Sequence, residues 1–420
     1  MYDVFFLYDD YAGGRSLVRV LPHSHHVHDR IWLELSRTPA CAMDVLDGAK
    51  LFGGSILAGG AAILVGGDCS TAALLHTNNR APVKLNGHSD YINAICSVQR
   101  SDGSYRALTA SADKTVRVWS ISRAEESEPF VCKPSLTYSE HCGPCRSVCF
   151  VDAHGDVAAS AGGHDDMTVR VWRTDSKGHS ISGILRGATA VLGGFGGSGG
   201  GSSTARRRRG ALAGHTAPVE CVAKMTEALV ASASLDETCR IWDVQAMREV
   251  QTLKGHRREA LCVVADYPIL VSSSDDRTVR VWDCRSGSTV QVLRGAHSGS
   301  IYAVELVTPN CIISGGADGR LATYDIRMAA GDLAGADAEQ PPPQVQLSLK
   351  EGAHGIRGCN KICKAEKAVS VGGAEPSSLW SFGDDGCLRA WRLEGEAPPR
   401  GLVEVTPRNG EAAACLGRGH

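Results

Sequence analysis

The chain has 420 residues, a formal net charge of −2, 5% aromatic residues and 16 cysteines. A near-neutral charge removes any global pull toward nucleic acid or an anionic membrane. No apolar run approaches the roughly 20 residues that span a bilayer, and Met1-Tyr2-Asp3 lacks the basic start of a signal peptide. The expected compartment is therefore the cytoplasm, with the nucleus as the second choice. The length exceeds what one compact core usually supports, so the core is expected to be divided among smaller units.

In chain order, residues 1–16 read as a lead-in. Leu17-Val18-Arg19-Val20-Leu21-Pro22-His23-Ser24 then looks like the later stretch from Val290 to Ser298, and Ile63 to Asp68 looks like Cys311 to Asp318. This first unit departs from the pattern, because six residues after Asp68 stands Leu74 rather than an aromatic residue. From His88 onward the pattern is regular. His88, His141, His215, His256, His297 and His354 each precede an Asp that lies six residues before an aromatic residue. Those pairs are Asp113 and Trp119, Asp166 and Trp172, Asp236 and Trp242, Asp276 and Trp282, Asp318 and Tyr324, and Asp385 and Trp391. A unit recurring at a fixed internal register has to be read as a repeat.

The copy from Leu253 to Asp283 shows what the unit is. Gly255 and His256 mark a turn, and Leu261 to Ala265, Ile269 to Ser273 and Thr278 to Trp282 are short apolar runs. Asp275-Asp276-Arg277 separates the last two runs, as turn residues between strands should. Thr289 to Leu293 adds a fourth extended stretch before His297. Connections this short permit only antiparallel pairing.

These residues resemble the WD40 family, whose blades carry Gly-His near the start and Trp-Asp near the end. The resemblance covers residues from about 17 to 392 and implies an all-β propeller of four-stranded blades around a central channel. Seven blades are expected, closed by the strand near Leu17 to Leu21 completing the sheet that ends at Trp391. Insertions are expected at about 186–210, where a Gly/Ser stretch and Arg206 to Arg209 have linker composition, and at 328–345. Residues 393–420 are expected to form a tail, with Leu402 to Val405 able to add a strand.

Several clusters imitate chemistry. Cys142-Gly143-Pro144-Cys145 has redox-motif spacing, yet the register places Cys145 on an apolar strand. Cys96, Cys149, Cys221, Cys262 and Cys311 also fall in apolar runs, where free Cys acts as a small hydrophobe. His23, His25, His26 and His28 read as an exposed turn without the partners of a metal site. The sets His88, Thr109, Asp113 and Trp119; Ser232, Asp236 and Trp242 near His215; and His256, Ser272, Asp276 and Trp282 resemble hydrolase triads. A catalytic triad is built once per enzyme rather than once per repeat, and the resemblance implies a structural hydrogen-bond network instead. That set is expected to be incomplete near His141, where Gly162 stands four residues before Asp166. No metal or cofactor is expected.

Function is then expected from surfaces. The leading expectation is a non-enzymatic scaffold binding proteins of a multiprotein complex. Its contacts would come from Asp90, Tyr91, Arg258 and Glu259, just after the His turns, and from Asp165, Leu235, Asp275 and Asp384, just before the anchoring Asp. An alternative is a substrate receptor of a cullin-RING ubiquitin ligase. Trp282-Asp283-Cys284-Arg285 and Tyr324-Asp325-Ile326-Arg327 are similar to the W-D-x-R box read by damaged-DNA-binding-type adaptors, with Arg285 and Arg327 as contacts. A third reading is an RNA- or ribosome-associated propeller, against which the near-neutral charge argues.

Overall fold

A computed structural model describes residues 50–57, 62–76, 81–123, 128–175, 211–326, 346–354, 358–369, 377–394 and 401–404, together with strands Tyr2–Phe5, Leu17–Pro22 and Trp32–Glu34. Every blade is a four-stranded antiparallel sheet of consecutive strands, and there are seven of them. Among the described residues no helix is long and apolar enough to cross a membrane. The innermost strands, in order from blade 1 to blade 7, are Leu51–Ile56, Ile92–Gln99, Cys145–Phe150, Val219–Lys224, Ala260–Asp266, Ile301–Thr308 and Cys359–Val369. The outermost are Val83–Leu85, Val131–Tyr138, Ala211–Ala213, Arg248–Lys254, Ser288–Leu293, Gln346–Lys350 and Gly401–Glu404.

The second strand of each blade explains why blades stack. Ala62–Gly67 and Cys311–Gly316 are buried at every residue, and Val157–Gly162 and Leu229–Ser234 at all but the first. A strand covered on both faces reads as a continuous apolar run rather than an alternation, and small residues let the neighbour come close. A Cβ at Gly315 would lie 2.6 Å from Cys359 Sγ of the next blade. The core is accordingly divided among the blade interfaces. Leu64, Leu74 and Leu85 of blade 1 pack on Ile92, Ile95 and Trp119 of blade 2, and Ile313 and Leu321 of blade 6 pack on Ile362, Leu379 and Trp391 of blade 7.

Ring closure differs from the expectation drawn from the sequence. Leu17–Pro22 does not join the last blade. It pairs with Tyr2–Phe5 and Trp32–Glu34 in a separate three-stranded sheet. The outer strand of blade 7 is Gly401–Glu404, in register Trp391↔Glu404 through Glu394↔Gly401, inside the stretch assigned to the tail. A strand nearby in sequence closes a short loop at less entropic cost than one at the far end of the chain. Blade 7 meets blade 1 through side chains instead. Asn360 Nδ2 donates to the Leu51 carbonyl at 3.0 Å, Cys363 Sγ lies 3.0 Å from the Gly54 carbonyl, and Trp380 and Phe382 pack on Leu51, Ile63 and Val65. The insertions at 186–210 and 328–345, and the histidines from His23 to His28, lie outside the described residues.

Candidate protein-interaction face

In blade 5, His256 Nδ1 meets Asp276 Oδ2 at 3.0 Å and Nε2 meets Ser272 Oγ at 2.7 Å, while Trp282 Nε1 donates to the same Ser272 oxygen at 2.8 Å. With the Nδ1 proton given to the carboxylate, Nε2 accepts from the serine hydroxyl, and each buried polar atom has a partner. Asp276 also accepts from the backbone N–H groups of Arg257 and Thr278, which ties the loop entering the blade to the turn between its second and third strands. The same set occurs with His88, Asp113, Thr109 and Trp119, and with His215, Asp236, Ser232 and Trp242. It recurs with His354, Asp385, Ser381 and Trp391, and with Tyr324 in place of Trp beside His297, Asp318 and Ser314.

The set near His141 is complete, contrary to the sequence expectation. His141 Nε2 meets Ser160 Oγ at 2.6 Å and Trp172 Nε1 donates to it at 3.1 Å. Ser160 is paired with Arg170 across the sheet, as Ser232 is with Arg240 and Ser272 with Arg280. The turn before Asp166 is longer in this blade, so counting back from Asp lands on Gly162 and misses the serine. In blade 1, Leu74 lies in the third strand, paired with Leu64 and fully buried, and Asp68 accepts from the Lys50 backbone N–H at 2.6 Å.

Backbone hydrogen bonds set the candidate contact residues on one face. Ala112 N–H donates to the Tyr91 carbonyl, Leu235 to Pro218, Asp275 to Glu259, Ala317 to Ser300 and Asp384 to Gly358. Tyr91 is 52% exposed there, and Asp90 Oδ1 accepts from its N–H at 2.8 Å. Arg258, 64% exposed, pairs with Asp275 at 2.9 Å and reaches Glu259 at 4.0 Å. Ser300 of blade 6 donates to Asp275, which links two blades across the face. Asp384 accepts from Asn360 Nδ2 at 2.8 Å. Leu235 is half-buried. Asp165 is exposed with φ +72°, but it is not the counterpart of Asp275: in blade 3 the equivalent backbone bond runs from Gly163 to Pro144.

The face surrounds a channel of about 820 Å³ lined by the innermost strands. In all seven blades the pairing of the first two strands shifts register within the first three residues of the inner strand. Such bulges re-aim side chains. Glu305, Lys361 and Lys364 line the channel beside Cys96, Cys149, Cys221, Cys262 and Cys363. Burial pushes the Glu305 carboxyl up to about 7, against the pull of Lys361 and Lys364. Burial disfavours the Lys361 ammonium, yet the acidic groups of Cys262, Cys221, Cys363 and Glu305 hold its pKa above the ordinary range. Cys96, Cys149, Cys221 and Cys262 thus line the channel rather than only filling apolar layers. Cys145 is fully buried and Cys311 nearly so. Among the described residues no group of three or more His, Cys, Asp or Glu is placed to hold a metal ion.

Arg285 is 66% exposed and held bidentately by Asp283, Nε to Oδ1 and Nη2 to Oδ2 both at 3.0 Å. Arg327 lies outside the described residues.

Four segments of the chain, 80–120, 132–173, 206–243 and 247–283, match the family model described as "WD domain, G-beta repeat". The chain carries WD40 repeats. Within this WD40 propeller the four matched segments fall on blades 2 to 5, whose His, Ser or Thr, Asp and Trp sets are complete, as is the set of blade 7. The chain is 27% identical over 113 residues to Elongator complex protein 2 of Drosophila melanogaster, covering 26% of this chain and 14% of that protein. It is 25% identical over 198 residues to the ribosome biogenesis protein WDR12 homolog of Nematostella vectensis, covering 43% of this chain and 41% of that protein. The chain therefore spans less than half the length of either relative.

Sequence reasoning missed Glu305 and Lys361 in the WD40 channel. The signal was available in the repeat register, because Glu305 stands four residues into its inner strand, where Cys96, Cys149 and Cys363 stand in theirs. The other blades carry Ser55, Ala223, Val264 or a thiol at that position, so an acidic residue there stands out.

Proposed function

We propose that this WD40 propeller is a non-enzymatic scaffold that binds other proteins of a multiprotein complex through the face bearing Tyr91, Arg258, Glu259 and Asp275. The observation that carries the reading is the repetition itself. The His, Ser or Thr and Asp constellation that could pass for a catalytic triad is present in six blades and is closed in each by the aromatic residue. Groups so completely paired within the fold serve its rigidity, which leaves the exposed face for binding. Tyr and Arg are types enriched at binding hot spots. The names of the two relatives refer to a complex and to ribosome biogenesis, which supports assembly into a larger particle. Tyr91→Ala combined with Arg258→Glu places a like charge beside Asp275 without touching a blade core. In affinity purification with mass spectrometry the variant loses the partners of the wild type while its unfolding midpoint stays the same. Unchanged partners would reject this face.

A ubiquitin-ligase receptor is the second reading, favoured by the exposure of Arg285. Its weakness is local, since Asp283 already occupies the guanidinium fork that an adaptor would need.

A further inference from the structure

Blade 5 carries a second concave site of about 280 Å³ near its outer edge, lined by Arg257, Arg277, Arg280, Arg294, Asp276 and His297. The repeat makes its composition readable against its neighbours. The four Arg positions are the residue after the turn histidine, the residue after the anchoring Asp, the residue two before the Trp, and the residue that follows Leu293, the strand partner of Val279. In blade 4 they are Thr216, Glu237, Arg240 and Lys254, and in blade 2 Ser89, Lys114, Arg117 and Ser139. Blade 5 places arginine at all four.

Compensation is missing in the same place. In blade 4, Arg240 pairs with Glu249 across the sheet from Trp242. In blade 3, Arg170 lies 3.3 Å from Asp166 and 4.0 Å from Glu140, and in blade 7 Arg389 pairs with Asp385. In blade 5 the residue across from Trp282 is Thr289, so the acid that serves Arg240 has no counterpart. Arg280 is 91% buried (9% exposed) and its guanidinium carbon lies 5.8 Å from the centroid of the Trp282 ring. Its Nε has no hydrogen-bond partner, as is also true of the Nε atoms of the equivalent Arg117, Arg240 and Arg389, so what sets Arg280 apart from Arg240 and Arg389 is the missing acid. Asp276, the acid in the site, is already engaged by His256, Thr278 and the Arg257 backbone. Burial depresses the Arg280 pKa, and the like charges of Arg294 and Arg257 depress it further against Asp276.

We propose that this pocket binds the phosphomonoester of a phosphorylated side chain on a partner protein. Such a group brings about −1.5 to −2 charges and three acceptor oxygens, matching planar guanidinium forks that donate in pairs. The site is compact and concave, and Glu259 and Asp275 of the same blade border it in sequence. A nucleic acid would instead require a basic track that neutralises successive phosphates, and the chain as a whole carries −2. The inference rests on the scaffold reading, because it specifies the chemistry of a protein partner.

The test uses the full chain and fluorescent peptide pools with degenerate flanks around a central phosphoserine or an unmodified serine, with a single-stranded oligoribonucleotide as a third probe. The phosphoserine pool binds, inorganic phosphate displaces it, and Arg257→Ala with Arg294→Ala weakens binding at least tenfold. Both of those arginines lie on the rim, so the double variant keeps the wild-type unfolding midpoint; Arg280→Gln gives a second, buried variant. Equal binding of the unmodified pool, binding untouched by the rim variants, binding of the oligoribonucleotide alone, or no binding at all would each overturn the proposal. Failure here leaves the Tyr91 and Arg258 experiment standing, and failure there leaves the phosphate readout intact.

Discussion

One serine or threonine hydroxyl joins each network: Ser272 serves His256 and Trp282 at once, so removing either end disturbs both. Trp282 is 1% exposed between blades, and Trp282→Ala is expected to lower the unfolding free energy by about 3–5 kcal/mol, as truncation of a large core aromatic does. Asp276→Ala leaves the His256 proton and two backbone N–H groups without their acceptor and is expected to cost about 1–3 kcal/mol. Urea unfolding checks both, and unchanged midpoints would contradict a structural role. Acid should act through the same groups. His88, His141 and His256 are held below their ordinary value mainly by burial, against the pull of Asp113, Asp166 and Asp276. Asp166, Asp236, Asp276 and Asp318 are pushed upward by burial, but bonds from the histidines and nearby N–H or hydroxyl groups outweigh it and hold them below theirs. In both cases the unfolded chain binds more protons between the two values, so stability falls as pH drops. Thermal unfolding should show loss beginning below about 6.5 from the histidines and continuing below about 4 from the aspartates. Glu305 runs the other way: raised to about 7, it penalises the folded state as pH rises from its ordinary value toward 7. Glu305→Gln should therefore gain in melting temperature over the wild type as pH increases from 4.5 to 8, and a constant difference would refute the raised carboxyl.

At the scale of strands and turns, sequence reading succeeded where period and spacing coincide and failed where a turn changes length. Blades 2 and 4 to 7 keep a fixed distance from Asp to the aromatic residue and from Asp back to Ser or Thr, so their networks were legible. In blade 3 the extra turn residues moved Ser160 away from its counted position, although its pairing with Arg170 preserved the geometry. Closure failed for a different reason. Leu17 to Leu21 and Leu402 to Val405 are both short apolar runs, and composition does not say which one pairs with Leu388–Glu394; proximity along the chain decides it for Gly401–Glu404. The joint between blades 7 and 1 was also invisible in the sequence, because its fit depends on a glycine. A Cβ at Gly54 would lie 2.3 Å from Phe382 Cε1 and Cζ and 2.9 Å from the Leu64 carbonyl oxygen. Gly54→Ala should therefore overpack the closing interface and cost about 1–3 kcal/mol. Restoring space with Gly54→Ala plus Phe382→Leu should recover part of that loss in the same unfolding assay. Equal stability of Gly54→Ala and the wild type would mean the ring closes more loosely than its packing implies.

For the whole molecule, the open choice is which surface meets the partner. The exposed face presents Tyr91 and the Arg258–Asp275 pair around the channel mouth, whereas Arg285 sits in the turn after the third strand of blade 5, spent on Asp283. An adaptor that captured Arg285 and Arg327 would gain charge-assisted hydrogen bonds contributing about 1.5–3 kcal/mol each, but at Arg285 it would first have to displace the Asp283 fork. Exchange of one bidentate carboxylate pair for another yields little net affinity when the first is exposed and already satisfied. Arg285→Ala with Arg327→Ala is thus expected to leave the co-purifying proteins unchanged, while Arg258→Glu removes them. The comparison is made on the same cells by quantitative mass spectrometry, with unfolding midpoints confirming that each variant is folded. Selective loss of a ubiquitin-ligase adaptor from the double arginine variant, with retention in Arg258→Glu, would move the binding site to the W-D-x-R turns and make the ligase reading the correct one.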